Sequence, residues 1–188
     1  RDVGGTSQMW KVEHTPEGTV RLRSSWAGGK CVDTSMGFTP LAGTVMLTRC
    51  GDIDPYIPLY IMKTQNKSIE EVSNMLHKES GLFGLSRGLA DRRDIEKEYH
   101  LGNQDCIDAI HVYVHNVIKQ IGACAAVLNG VDALIFTAGI GENAELLREK
   151  ICERLGYLGI ELDRQANRNC KGTAEINTAT SKVKVLVI

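Results

Sequence analysis

No stretch of this 188-residue sequence approaches the roughly 18 consecutive apolar residues that a membrane-spanning helix needs, so no such helix is expected. No sign of charge dominates either. Lys and Arg total 22 and Asp and Glu total 23, for a net charge of −1, and no global field favours nucleic acid or an anionic membrane surface. None of the six cysteines forms a C-x-x-C pair, and no histidine lies at metal-ligand spacing from a cysteine pair. Cys31, Cys50, Cys106, Cys124, Cys152 and Cys170 are widely and irregularly spaced, which reads as single buried thiols in a reducing, cytoplasmic setting. No G-K-[ST] follows a glycine loop, which excludes a Walker A motif. His111 and His115 stand four apart on a predicted helix, but Val112, Tyr113 and Val114 between them supply no carboxylate. That pair reads as a polar helix flank, and no metal site is assigned. No Ser-His-Asp or Cys-His arrangement can be argued. The chain opens Arg1-Asp2-Val3-Gly4, with neither an initiator Met nor an apolar signal segment, and is expected to be a fragment or a processed product.

Hydrophobic residues make up 43% of the chain and charged residues 24%, ordinary values for a globular protein. The length allows one medium domain, or one domain with a small appendage. A boundary is expected near residue 30, with a head over 1–30 and the main domain over 31–188. Both tryptophans, Trp10 and Trp26, fall in the head. Met9–Glu13 and Thr19–Arg23 alternate apolar and polar residues around Thr15-Pro16-Glu17-Gly18, a β-hairpin signature. Helices and strands then alternate. Asp54-Pro55 is a helix start, with Asp as N-cap and Pro at the first position, carrying Tyr56 to Met62. Ser68-Ile69-Glu70-Glu71 is a capping box opening a second helix to about His77. Ser80 to Ala90 reads as a glycine-bearing loop, and Asp91 precedes a charged helix from Arg92 to Tyr99. The longest helix is expected from about Gln104 to Leu128, with Ile107, Ile110, Val114, Val117, Ile121 and Ala125 on one face. Asn129-Gly130 should end it.

The most chemical stretch is Val131 to Leu147. A buried strand over Val131–Phe136 leads into Thr137-Ala138-Gly139-Ile140-Gly141, and a helix is expected from Glu142 or Asn143 to about Leu155. Glycines there allow close backbone approach and positive φ. The first amides of the following helix lack intrahelical partners and favour an anion such as phosphate. By spacing alone, G-x-G is equally read as a tight strand-to-helix turn. It is not a dinucleotide fingerprint, because Ala144 stands where a third glycine belongs. Glu142 beside phosphates is unfavourable unless a metal or water intervenes. The final strand, Val183 to Ile188, and the long helix are expected to want neighbours, so self-association is expected.

Several motifs together carry a family resemblance. Asp33-Thr34-Ser35-Met36-Gly37-Phe38-Thr39-Pro40-Leu41 resembles the D-T-S-M-G-F-T-P-L signature of acetate kinases. Thr48-Arg49-Cys50-Gly51-Asp52-Ile53-Asp54-Pro55, Ser80–Gly84, Asp91–Ile95, Phe136–Asn143, Leu158–Asp163 and Ser181–Ile188 are similar to further elements of that family, in order and spacing. The resemblance covers about Gly28 to Ile188. It implies an α/β, actin- and hexokinase-like (ribonuclease H-like) domain, here incomplete and preceded by a short hairpin head. It implies Mg2+-dependent phosphoryl transfer between ATP and acetate, giving acetyl phosphate, by an enzyme that is a homodimer at full length. Carried over by motif, Arg49 resembles the arginine that neutralises charge on the transferring phosphoryl group. Asp91, Arg92 and Arg93 resemble the stretch that holds adenosine. Gly139, Ile140, Gly141, Glu142 and Asn143 resemble the loop lining the nucleotide. ATP or ADP with Mg2+ are the implied cofactors.

The sequence departs from that family in places. Pro16–Val20 stand where an H-L-G-N-G-like loop is expected, and Ala42 replaces a usual Glu. The family's N-terminal domain and its closing P-T-N-E-E segment have no counterpart, so the chain is expected to be inactive alone. The acyl pocket lies mostly outside the matched stretch, which leaves a propionate or butyrate kinase open. The head also resembles one unit of a ricin-type lectin, through Gln8-Met9-Trp10 and Gly29-Lys30-Cys31-Val32-Asp33. Paired cysteines can bond in that family, with Cys31 and Cys50 the counterparts here. This leaves a non-catalytic carbohydrate-binding module as the rival of another class, although a lectin needs further Q-x-W repeats.

Overall fold

The computed structural model describes residues 10–14, 20–24 and 31–188, with side chains from residue 33 onward. The chain divides into two compact units, Arg1–Ser35 together with Val117–Ile188, and Met36–Asn116. The alternating residues of the head form the expected pair of strands. β1 (Trp10–His14) and β2 (Val20–Ser24) run antiparallel, with Trp10 opposite Ser24 and His14 opposite Val20. The expected turn at Thr15–Gly18 lies outside the described residues. A third strand, β3 (Cys31–Thr34), pairs antiparallel with β2 across a register shift between Leu22 and Arg23.

The second unit is helical. α1 (Tyr56–Gln65) begins where Asp54 Oδ1 accepts the Tyr56 amide at 2.8 Å, with Pro55 between them, so aspartate and proline act as the sequence suggests. None of its residues is buried, and Tyr56, Ile57, Leu59 and Tyr60 are exposed. α2 (Ile69–Lys78) carries the complete capping box: Ser68 Oγ accepts the Glu71 amide and Glu71 Oε2 accepts the Ser68 amide. The loop expected over Ser80–Ala90 contains a short helix instead, α3 (Gly81–Leu85). Tertiary contacts make it. The Leu82 and Phe83 amides donate to the Met46 and Leu47 carbonyls at 2.9 and 2.8 Å. Gly81 sits at φ +63°, where a Cβ would lie 2.2 Å from Met46 O, so only glycine permits this approach. α4 (Arg92–His100) is capped by Asp91.

α5 (Gln104–Leu128) starts at Asn103, whose Oδ1 accepts the Asp105 amide at 3.1 Å, and passes from the second unit into the first. Of its expected face, Ile110, Val114, Val117, Ile121 and Ala125 are buried and Ile107 is half-buried. Asn129, at φ 57°, and Gly130 close it. His111 and His115 are both exposed.

The first unit resumes with β4 (Ala133–Phe136), buried at all four positions, whose backbone runs alongside β1. α6 (Ala138–Asn143), α7 (Glu145–Cys152), a 3-10 turn (Gly156–Leu158) and α8 (Arg164–Asn169) follow. β5 (Ala174–Glu175) and β6 (Lys184–Val187) complete a sheet of order β4-β6-β5. β6 pairs parallel with β4, Leu134 opposite Val185, and antiparallel with β5, Ala174 opposite Val187. Val183, Val185 and Val187 are buried. The expectation that this last strand wants a neighbour is therefore corrected: it is the middle strand of its sheet. Four large apolar side chains lie open along α1, and Phe38, Ile69, Leu101, Val127 and Tyr157 are exposed elsewhere.

Candidate functional site

The glycine turn folds differently from its sequence reading. The helix expected at Glu142 begins earlier, so Ala138 to Asn143 are already helical as α6. A break at Ala144 (φ −107°, ψ 76°) separates it from α7. Two features make the early start possible. Ala138 takes φ +60°, a left-handed conformation unusual for a residue with a Cβ. Gly141 is buried with its Cα against the strand it has just left, and a Cβ there would lie 3.0 Å from the Phe136 carbonyl carbon. Gly139 is exposed, and a Cβ there would meet nothing within 4 Å, so space is left open on that side of the turn. Asn143 Nδ2 donates to Gly139 O at 3.0 Å and braces the turn across its own width. Ile140 is half-buried and Glu142 exposed.

Behind the turn lies a polar pair that sequence reasoning missed. Arg148 is 2% exposed and Asn167 0%. Arg148 Nη1 donates to the carbonyls of Gly141 and Glu142, both at 2.8 Å. Its Nε donates to Asn167 Oδ1 at 2.7 Å and its Nη2 to Asn167 O at 3.1 Å. Asn167 Nδ2 donates in turn to Glu145 O at 3.0 Å. The guanidinium thus satisfies carbonyls at the end of α6 that have no helical partner. A sequence signal existed. Ala144, Leu147, Ile151, Cys152 and Leu155 form the buried stripe of this stretch, and Arg148 falls inside it. Burial pushes the Cys152 thiol up to about 12, opposed by Arg148.

The remaining candidates belong to the second unit. Asp91 Oδ1 accepts the Arg93 amide at 2.8 Å as the N-cap of α4. The Arg93 guanidinium folds back on the same carboxylate, with Nε 3.1 Å from each oxygen and Nη2 2.5 Å from Oδ2. These hydrogen bonds hold the Asp91 carboxyl down to about 2. Arg93 is the more open partner, its side chain 79% exposed. Arg92 points elsewhere and is ion-paired to Glu96 one turn on. Arg49 is half-buried and lines an open cleft of about 760 Å³ with Thr48, Ser73, Asn74, His77 and Lys78. Its backbone is fixed by the Met46 amide, which donates to Arg49 O at 3.2 Å, and by the close approach of Gly81.

The structure therefore brings Asp91 and Arg93 together, and Gly139, Gly141 and Asn143 together, in separate units. Among the described residues no cluster of three or more His, Cys, Asp or Glu could hold a metal. Among them too, no helix is long and apolar enough to cross a membrane. Cys50 is a free thiol, its pKa raised by burial, and the side chain of Cys31 lies outside the described residues. Gln8-Met9 and Gly29-Lys30 of the lectin-like pattern lie outside the described residues.

Comparison with known proteins agrees with these motifs. The profile of the acetokinase family matches residues 23–188. An acetate kinase of Agathobacter rectalis is 54% identical over 166 residues, 88% of this chain and 42% of that protein. One from Clostridium novyi is 52% identical over 160 residues, 85% of this chain and 40% of that protein. The chain thus spans less than half the length of these relatives. The crystal structure of Porphyromonas gingivalis acetate kinase superposes with a TM-score of 0.88 at 33% identity, over 97% of this chain and 45% of that one. A propionate kinase from Francisella tularensis gives 0.86 at 36%, over 97% and 46%. These structural matches cover 97% of the chain and give it the α/β, actin- and hexokinase-like fold. A family profile matched from residue 23 to the last residue, with relatives more than half identical over the same stretch, makes this chain a member of the acetokinase family.

Proposed function

We propose that this chain is the nucleotide-binding part of an ATP-dependent acetate kinase, an enzyme that transfers a phosphoryl group between ATP and acetate with acetyl phosphate as the activated product. The observation that carries the reading is the turn from Phe136 to Asn143. Gly141 is consumed by packing, whereas Gly139 keeps its side free, as a backbone approached by a ligand requires. Gly139, Ile140, Gly141, Glu142 and Asn143 would line the nucleotide. Asp91 and Arg93 would hold the adenosine, with Arg92 braced on Glu96 between them. The Arg93 guanidinium, flat and mostly exposed, can exchange its contact with Asp91 for one with a ligand.

Arg49 is assigned to the phosphoryl group in transfer. A planar fork of donors matches the equatorial oxygens, and charge stabilisation supplies most of the catalysis in such reactions. Magnesium, when bound, neutralises phosphate charge. It commonly rests on one or two carboxylates plus the nucleotide's own oxygens, so it does not need a cage of protein ligands. Alignment of both substrates requires the segments of the relatives that this chain does not span, and turnover belongs to the longer protein. That protein is proposed to be a cytoplasmic homodimer. The free thiols of Cys50, Cys106, Cys152 and Cys170 suit a reducing compartment, and the exposed apolar residues of α1 suit an interface.

The test is calorimetric titration of the chain with MgADP, beside Asp91→Ala and Arg93→Ala. Saturable binding in the parent chain, lost in both variants, is expected. No heat from a chain that circular dichroism finds folded would overturn the proposal. The similarity to a propionate kinase favours a second acceptor. Trapping acyl phosphate made by the longer protein from acetate and from propionate separates the two.

A further inference from the structure

A cation as deeply buried as Arg148 needs a reason. Desolvating a guanidinium is costly, and an apolar side chain of similar volume would join α7 to its neighbours at least as well. The fork does something no apolar group can: it grips two successive carbonyls, Gly141 and Glu142, while its other edge grips Asn167 on α8. Because the peptide unit is planar, fixing those carbonyls also fixes the opposed amides of Glu142 and Asn143. Asn167 is itself held, donating to the carbonyl of Glu145 at the first residue of α7. A single network therefore joins α8, the start of α7 and the last turn of α6. It reaches the nucleotide turn through the carbonyls of Gly141 and Glu142, while space is left open at Gly139.

We infer that Arg148, oriented by Asn167, is a positioning residue that sets the turn Gly139–Asn143 for a nucleotide diphosphate. The inference rests on the nucleotide-binding reading above. Arg148 touches no substrate in this role. It holds the backbone that does, and α8 becomes part of the binding apparatus without lining it. Lysine at this position keeps the charge and most of the stem but cannot span both carbonyls and the asparagine at once.

The decisive experiment titrates the full 188-residue chain and its Arg148→Lys and Arg148→Met variants with MgADP and with adenosine, with folding checked by circular dichroism and thermal melting. For folded variants, ADP affinity is expected to fall by about tenfold, the scale of losses when an outer supporting partner is removed. Adenosine affinity should change little, and lysine should retain more ADP binding than methionine. A purely structural role would lower the melting temperature and leave the ratio of ADP to adenosine affinity unmoved. A folded Arg148→Lys chain that binds ADP as the parent does overturns the inference alone. A folded parent chain that binds no ADP overturns the nucleotide reading and this inference with it. If neither variant folds, hydrogen exchange on the parent chain decides. ADP should slow exchange in residues 139–143 and in α8 together, and protection confined to 139–143 overturns the coupling.

Discussion

At Gly81 a methyl group would sit 2.2 Å from the Met46 carbonyl oxygen, on a residue whose φ is +63°, whereas at Gly139 it would meet nothing within 4 Å. The two glycines answer to different demands, one from the fold and one, in the function proposed above, from a ligand. Gly81→Ala combines a left-handed backbone with a backbone clash, and is expected to cost about 3 kcal/mol in urea unfolding. Gly139→Ala should change stability by less than about 0.5 kcal/mol and weaken ADP binding measured on the same preparation. Equal losses of stability in both would contradict this division. Asp91 adds a pH signature. Its folded pKa of about 2 lies below the ordinary 3.8, so its contribution is fully present above 3.8 and is lost as pH falls through about 2. The difference in melting temperature between the parent chain and Asp91→Ala should be constant at neutral pH and narrow through that acid window. A difference that fails to narrow would rule out the carboxylate–guanidinium pair as its source.

Elements differ in how openly their sequences declare them. The box at Ser68 and Glu71 is a local pattern with a local cause, and it forms as written. Ser68→Ala should destabilise by about 1 kcal/mol in thermal melts, and Glu71→Ala should reproduce part of that loss. A change within error for both would mean that α2 is held by packing alone. The apolar stripe of α5 and its Asn129-Gly130 close were equally legible, because each depends on residues within a turn or two of one another. α3 and α6 were not. α3 exists because Gly81 lets Leu82 and Phe83 reach the backbone of Met46 and Leu47, far back along the chain. α6 starts early because Ala138 accepts a left-handed backbone beside a buried Gly141. At the candidate site, Gly139–Asn143 and Asp91–Arg93 were readable as motifs. The pairing of Arg148 with Asn167 joins residues from two helices, and an arginine on a charged helix reads as a surface residue unless its position in the apolar stripe is noticed. β3 was hidden because its strand is short and lies under a motif read for its chemistry.

On the scale of the molecule, the two units differ in continuity. Met36–Asn116 is one stretch of chain, while the other unit is assembled from Arg1–Ser35 and Val117–Ile188. Contacts within the continuous unit close short loops, which lowers the entropy cost of forming them early. Pulsed hydrogen exchange during refolding should therefore protect α2 and α4 before β1, β2 and β4. Earlier protection of the strands would show that the sheet nucleates folding. The placement of β1 beside β4 has a further consequence during protein synthesis. A ribosome adding about 5–20 residues per second finishes β1 to β3 several seconds before it delivers β4, and later still β6. For that interval the side of the ribbon that β4 comes to lie beside is uncovered, and another nascent chain can meet it there. The order in which the strands are made, rather than their final stability, then sets when the chain is most exposed to misassembly, and a chaperone that shields the early ribbon would act in that window.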